Sequence, residues 1–263
     1  IKVFLPKESH QRGFLIAGYV EHGLGIEALC LLKQMQLENV VPDAAILACA
    51  LKSCATIEAL DKGQEVHNDI VLRGLEDDVT IGISVVDMYA KLGDVTKAHK
   101  VFDELQLRDL ECWNAIISGY GQLGQDEMVV SLFNTLIENG IMPSLVTYNI
   151  VLSACSHSGL LDEGQSYFGS MSSMYGLIPT LEHYTCMVDL FARAGFLDKA
   201  LTIIHKMPTL PNYLPIWTSI LGACQKWGNI KLGEIAFHKS IQLDEKNGAL
   251  YTGLGNIYAL TIA

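Results

Sequence analysis

The sequence repeats itself. The stretch LKSCATIEALDKGQ from Leu51 is echoed by LSACSHSGLLDEGQ from Leu152, an offset of 152 − 51 = 101 residues. VVDMYAKLGDVTKA from Val85 returns as MVDLFARAGFLDKA from Met187, an offset of 187 − 85 = 102. Gly18-Tyr19 returns as Gly119-Tyr120. Self-similarity at fixed spacing is the signature of stacked repeat architectures and takes precedence over a segment-by-segment reading. Each long period divides into three repeats. The boundaries are read at 9–43, 44–78, 79–109, 110–144, 145–180 and 181–212, after residues 1–8, the end of a preceding repeat. A related motif follows at 213–246, where Leu221–Cys224 echoes Leu152–Cys155, and a partial one at 247–263.

Each repeat reads as two helices. In 110–144, Trp113, Ile116, Ile117 and Tyr120 follow the i, i+3, i+4, i+7 spacing of one helical face, and Val129, Leu132, Phe133 and Leu136 do the same. Gly124 lies where a helix end wants a left-handed residue, and Gly140 and Pro143 punctuate the repeat. One helical hairpin cannot bury its apolar face alone, whereas stacked hairpins build a continuous core. The expected fold is therefore all-α: a right-handed α-solenoid of helical-hairpin repeats with a concave groove.

Several apparent motifs dissolve in this frame. Gly119-Tyr120-Gly121-Gln122-Leu123-Gly124 matches G-x-G-x-x-G, yet it falls between two helices, without the strand that a dinucleotide site needs. The seven cysteines are odd in number and contain no C-x-x-C pair, and most sit inside apolar helical patterns, so they read as buried free thiols in a reducing compartment rather than as zinc ligands. Cys54, Cys155 and Cys224 fall at equivalent places where a helix contact wants a small side chain. The eight histidines form no H-E-x-x-H and no deaminase zinc signature. Asp77-Asp78 and Asp162-Glu163 read as solvated turn or helix positions. No catalytic constellation, cofactor or metal is expected. No apolar run approaches the ~18 residues of a membrane span, and no signal or transit peptide is visible. The ends read as cuts through a longer protein.

The repeats resemble the plant pentatricopeptide repeat family, and within it the PLS subgroup, whose three-repeat sets match the lengths here of 35, 35 and 31, then 35, 36 and 32 residues. The likeness is carried by Trp113 through Tyr120, Val146-Thr147-Tyr148-Asn149, Val86 through Lys91, and Lys100 through Glu104. His183 through Leu190 looks like the last S-type repeat of such proteins. Ile216-Trp217, Leu221 through Cys224, Gly228-Asn229 and Gly233-Glu234 look like the E-type extension, and Asn256 through Ala259 like the start of a second E motif. A tetratricopeptide array is the nearest rival, but its W-x-x-L-G-x-x-Y pattern is not seen.

The resemblance implies single-stranded RNA binding at one base per repeat. The fifth and last residues of a repeat would contact the base edge, and the second would help sandwich its face. That implies Thr185 with Asn212 for adenine, Asn114 with Ser144 for a pyrimidine with cytosine favoured, and Asn149 with Thr180 for a pyrimidine, with Val146 against a base face. The competing role for Asn114, Asn149 and Thr185 is a helix N-cap. Gly13 with Asp43, Ala48 with Asp78, and Ile83 with Asp109 lack a polar fifth residue, so those repeats would only space the array. Proteins of this subgroup typically recognise sites for C-to-U editing in mitochondria or chloroplasts, with the deaminase supplied further along the chain or by a partner docking on the E-type segment, where Trp217, Trp227 and Phe237 are candidate contacts or core. A role in RNA stability, splicing or translation uses the same groove, and a protein-interaction scaffold is the alternative from another class. With 29 acidic against 18 basic residues, net −11, the chain lacks the broad basic surface of most nucleic-acid binders. Binding would lean on base contacts and on local cations such as Lys52, Lys91, Lys97 and Arg193.

Overall fold

A computed structural model of the chain describes residues 9–207 and 213–259; Asn212 and the two chain ends lie outside the described residues. The described residues form fifteen α-helices and no strand, in the order α1 Ser9–Glu21, α2 Gly25–Leu37, α3 Ala44–Thr56, α4 Leu60–Leu72, α5 Val79–Lys91, α6 Val95–Glu104, α7 Leu110–Gln122, α8 Asp126–Glu138, α9 Leu145–Ser158, α10 Leu161–Ser173, α11 Leu181–Arg193, α12 Leu197–Lys206, α13 Leu214–Trp227, α14 Ile230–Ile241 and α15 Gly248–Ala259. Among the described residues no helix is long and apolar enough to cross a membrane.

The chain divides into an N-terminal unit up to Gln125 and a C-terminal unit from Asp126. In the N-terminal unit the odd-numbered helices α1, α3, α5 and α7 stack one on the next, and the even-numbered helices α2, α4 and α6 pack onto the odd helix that follows. The C-terminal unit repeats the arrangement, with α9, α11, α13 and α15 stacked and α8, α10, α12 and α14 each set against its successor. Each unit is thus an α-solenoid of helical hairpins.

Local chemistry sets the helix ends. The Asp43 carboxylate accepts from the Ile46 N–H at 2.9 Å, Asp78 from Ile81 at 3.1 Å and Asp109 from Cys112 at 2.9 Å. Ser144 forms a reciprocal capping box with Thr147. Each such cap stabilises its helix by about 1 kcal/mol. At the other end, α9 stops on Gly159 in the left-handed region, φ 70°, where a side chain would be strained. Residue 58, which corresponds to Gly159 one long period earlier (159 − 101 = 58), is a glutamate held at φ 55°.

The core explains why the repeats are spaced as they are. At four junctions the eighth residue of an even helix meets the fourth residue of the following odd helix as an edge-to-face ring pair. Ring centroids lie 4.8 Å apart for Phe102–Trp113, 5.4 Å for Phe133–Tyr148, 5.3 Å for Phe168–Tyr184 and 5.3 Å for Phe237–Tyr251. Such pairs add about 0.5–1.5 kcal/mol to the burial of their area. The recurring glycine at the fourth position of α4, α10 and α14 is a close-approach site. A Cβ on Gly164 would come within 2.5 Å of Leu190 on α11, and one on Gly63 within 2.5 Å of the Met88 sulfur on α5. The G-x-G-x-x-G match has the same origin: Gly119 lies against Ala90, where a Cβ would approach to 2.7 Å, and Gly124 adopts φ 67° in the turn.

The fold also places the C-terminal aromatics and the thiols. Helix α13 opens at Leu214 with Tyr213 as its N-cap. Of the three C-terminal aromatics, Trp217 and Phe237 are core at 8% exposure each. Trp227 is 48% exposed, and its indole N–H donates to the Ala192 carbonyl at 3.1 Å. Of the seven free thiols, Cys54, Cys112, Cys155 and Cys224 are buried, Cys49 and Cys186 half-buried, and Cys30 exposed. Burial pushes Cys112 and Cys155 up to about 12, so neither offers a thiolate near neutral pH.

Candidate nucleic-acid interface

Within each unit the fifth residues of the odd helices recur at the same helical place. These are Ala48 on α3, Ile83 on α5, Asn114 on α7, Asn149 on α9 and Thr185 on α11, and all five are half-buried. In the N-terminal unit Ala48 and Ile83 line one groove of about 380 Å³ together with Lys52, Lys91 and Glu111. Neither fifth residue there can donate or accept a side-chain hydrogen bond.

In the C-terminal unit the same positions are polar. The Thr185 hydroxyl donates to the Leu181 carbonyl at 2.8 Å. With its proton used inside the helix, its lone pairs are left to accept from an amino group. The Cys186 thiol lies 3.7 Å from Asn149 Oδ1, tying α9 to α11 beside the two fifth residues. That contact leaves the Asn149 amide nitrogen as a donor group. Burial pushes the Cys186 thiol up to about 11, which keeps it protonated as that donor.

The last residues of the repeats have a structural task. Ser144 and Thr180 are the N-caps of α9 and α11. The Ser144 hydroxyl sits 3.3 Å from the Thr147 N–H and 3.1 Å from the Thr147 hydroxyl. The Thr180 hydroxyl donates to Glu182 and lies 2.7 Å from His183 Nδ1. The N-cap role considered for Asn114, Asn149 and Thr185 is therefore corrected. Each is the fifth residue of its helix, and the caps are Asp109, Ser144 and Thr180. The reason is geometric: a cap must accept from the N–H two or three residues on, and only the residue before the helix is extended enough to do so. Asn114 and Ser144 fall in different units, and Asn212 lies outside the described residues. Asn149 on α9 is linked to α11 through Cys186, the residue after Thr185, and Thr180 caps α11. Val146, the second residue of α9, is 60% exposed.

His183, which the sequence marks only by family likeness, locks α11 to α9. It is 2% exposed, its Nδ1 accepts from the Thr180 N–H at 3.2 Å, and its Nε2 meets the Leu145 carbonyl at 2.9 Å. Nδ1 is thus unprotonated and Nε2–H is the donor. Burial holds the ring's pKa below the usual histidine value, against the opposing pull of the Leu145 carbonyl. The Thr-x-x-His spacing, a variant of the capping box, was the available signal.

The proposed cations are mostly engaged. Lys91 pairs with Asp87 at 2.7 Å, Arg193 with Asp189 at 2.6 Å and Lys97 with Asp94 at 3.2 Å. Lys97 lies on α6, over the Tyr89 ring at 5.5 Å, rather than on an odd helix. Asp189 is fixed further by the hydroxyl of buried Ser156 at 2.6 Å. Exposed pairs of this kind contribute about 0–1 kcal/mol, so a phosphate can compete for Lys91 or Arg193. Among the described residues no His, Cys, Asp and Glu cluster could hold a metal ion.

The PPR repeat family matches residues 108–157, and the PPR repeat matches 13–40, 84–110, 146–175 and 182–210. A putative pentatricopeptide repeat-containing protein of Arabidopsis thaliana is 38% identical over 245 residues, 93% of this chain and 33% of that protein. A mitochondrial pentatricopeptide repeat-containing protein of the same plant is 39% identical over 93% of this chain and 37% of its own length. Its chloroplastic relative CRR2 is 37% identical with the same coverage. The chain spans about a third to a half of the length of such relatives. Among solved structures, the pentatricopeptide repeat protein PPR10 in complex with an 18-nt psaJ RNA element aligns with a TM-score of 0.68 at 21% identity, over 93% of this chain and 36% of that one. A tetratricopeptide repeat protein from Parabacteroides merdae aligns at 0.60 and 17% identity, over 96% of this chain and all of that one. Both show the α-solenoid fold.

Proposed function

Because the chain belongs to the pentatricopeptide repeat family, we propose that it binds single-stranded RNA along its odd helices, one base to a hairpin, as a site-recognition module rather than as an enzyme. The observation that carries this reading is the pair Asn149 and Thr185, polar and half-buried at the same place on consecutive stacked helices. An acceptor at Thr185 suits the amino group of adenine, and a donor at Asn149 suits a pyrimidine carbonyl. A wrong base leaves a half-buried polar group unpaired, at about 1–3 kcal/mol, which is enough for selectivity. The capping residues Ser144 and Thr180 neighbour these positions and tune the edge contact, Asn114 supplies a further pyrimidine position, Asn212 completes the adenine pair, and exposed Val146 flanks a base face. The repeats run 9–43, 44–78, 79–109, 110–144, 145–180 and 181–212 in a PLS pattern with an E-type extension. In the whole protein the module directs C-to-U editing in a mitochondrion or chloroplast, with the deaminase supplied elsewhere.

The test is selection from a random single-stranded RNA pool at fixed salt, on the chain and on the double variant Thr185→Asn, Asn212→Asp. The expected result is a motif with adenine at one position that shifts to uracil in the double variant. A folded, helical chain that enriches nothing at low salt overturns the RNA reading.

A further inference from the structure

Ring pairs at the eighth and fourth positions join four even helices to the next odd helix, and the α4–α5 junction has none at those positions: the His67 ring instead meets Tyr89 of α5 edge-on, centroids 5.5 Å apart. At the α4–α5 junction the eighth residue is His67 and the fourth is Gly82, in place of Phe102–Trp113, Phe133–Tyr148, Phe168–Tyr184 and Phe237–Tyr251. A cavity of about 600 Å³ lies at this junction, lined by Gly82 and His67 and walled by Ile70, Val85, Val101 and Leu105. That size falls within the roughly 300–1,000 Å³ of ligand clefts. Leu105 leans over the gap, so that a Cβ on Gly82 would meet it at 2.3 Å, yet it does not close it. Val71 and Leu107 sit at the lip, 48% and 67% exposed. Three carboxylates, Glu76, Asp77 and Glu104, surround it and are exposed. Lys100 stands 4.0 Å from Glu104.

We propose that this cavity is a docking site for an aromatic side chain carried on a basic peptide segment of a partner protein. The shape argument is internal to the molecule, because Trp113, Tyr148, Tyr184 and Tyr251 show that an aromatic side chain completes this junction at four other places. The charge argument fixes the flanks: a lysine or arginine on either side of the anchor meets Glu76, Asp77 or Glu104, and such complementarity raises the on-rate and sets register. A buried aromatic anchor within a polar rim is the usual arrangement of an interface hot spot. The site is separate from the candidate RNA groove. Gly82 lines this cavity, while its neighbour Ile83 lines the groove shared with Ala48.

The probe is a fluorescein-labelled heptapeptide with one central tryptophan and three lysines on each side, titrated by anisotropy against the full chain at physiological ionic strength. Saturable binding is expected, weakened at least about tenfold by replacing the tryptophan with serine, by Gly82→Tyr, or by Glu76→Lys with Glu104→Lys, in line with loss of a central anchor or its rim. The rim variants change only exposed residues, so they keep the test decisive should Gly82→Tyr fail to fold. A folded chain that does not bind the peptide overturns the proposal. So does binding that survives the tryptophan-to-serine change, since that is adsorption of a polycation to an acidic protein.

Discussion

The segments α3–α6 and α9–α12 are copies of one sequence pattern about 101 residues apart, and they differ where side chains meet something other than their own hairpin. In the C-terminal copy, Tyr184 packs its ring on Phe168, His183 ties α11 to α9, and Asn149 and Thr185 bring polar groups to the stacked odd helices. In the N-terminal copy the counterparts are Gly82, Ile81, Ala48 and Ile83, and the junction stands open. One scaffold therefore tolerates two states of the same junction. The hairpin stack is held by the many apolar contacts common to both copies, so one ring, one cap or one groove residue can change without loss of the fold.

Making the C-terminal junction resemble the N-terminal one is the most damaging test. Tyr184→Gly removes a ring pair and places glycine inside a helix, and should cost about 3 kcal/mol, read as a lowered denaturant midpoint with unchanged slope. An undiminished midpoint would mean that the ring pairs are not what joins successive hairpins. Next in size is the groove. Asn149→Ala and Thr185→Ala should each weaken binding of the selected RNA about tenfold, about 1.4 kcal/mol. Ile83→Ala should change it little, and Ile83→Thr should add a base preference at its own position. Equal effects at all three sites would erase the distinction between the copies. Glu58→Gly should then raise stability by about 1 kcal/mol, because it relieves a left-handed glutamate at the place where Gly159 stands in the other copy. Calorimetry checks it.

The smallest effect is in the pH profile. Burial lowers the pKa of His183 and of His67 below the ordinary 6.5. The unfolded chain then binds protons that the folded chain refuses, so stability is complete above about pH 6.5 and falls as the pH drops below it. His183→Ile, the residue of the other copy, should remove the His183 share of that slope. A melting profile between pH 7 and 5 that is unchanged by the substitution would show that the ring is not buried as a neutral donor.

Helix positions and hairpin pairing were legible in the sequence, because helical periodicity and left-handed glycines are local signals. The face of Trp113, Ile116, Ile117 and Tyr120 is buried as its spacing implied, each residue at 8% exposure or less. The division of labour between the fifth and last residues of a repeat was less legible. Asn, Ser and Thr are all good caps and all good base readers, and only the backbone placed Ser144 and Thr180 before the helices and Asn149 and Thr185 inside them. The cations were misleading for a related reason. Lys91 and Arg193 looked free in one dimension, yet each has a partner aspartate one helical turn away.

The sequence by itself determined the all-α hairpin repeat and its family, since both rest on residues within one turn or one repeat of each other. The tertiary structure alone decided which glycine is a turn and which is a contact, that His183 bridges two helices, and that a cavity lies beside Gly82. Each of these depends on what a neighbouring hairpin, some thirty residues away, brings to the same point in space.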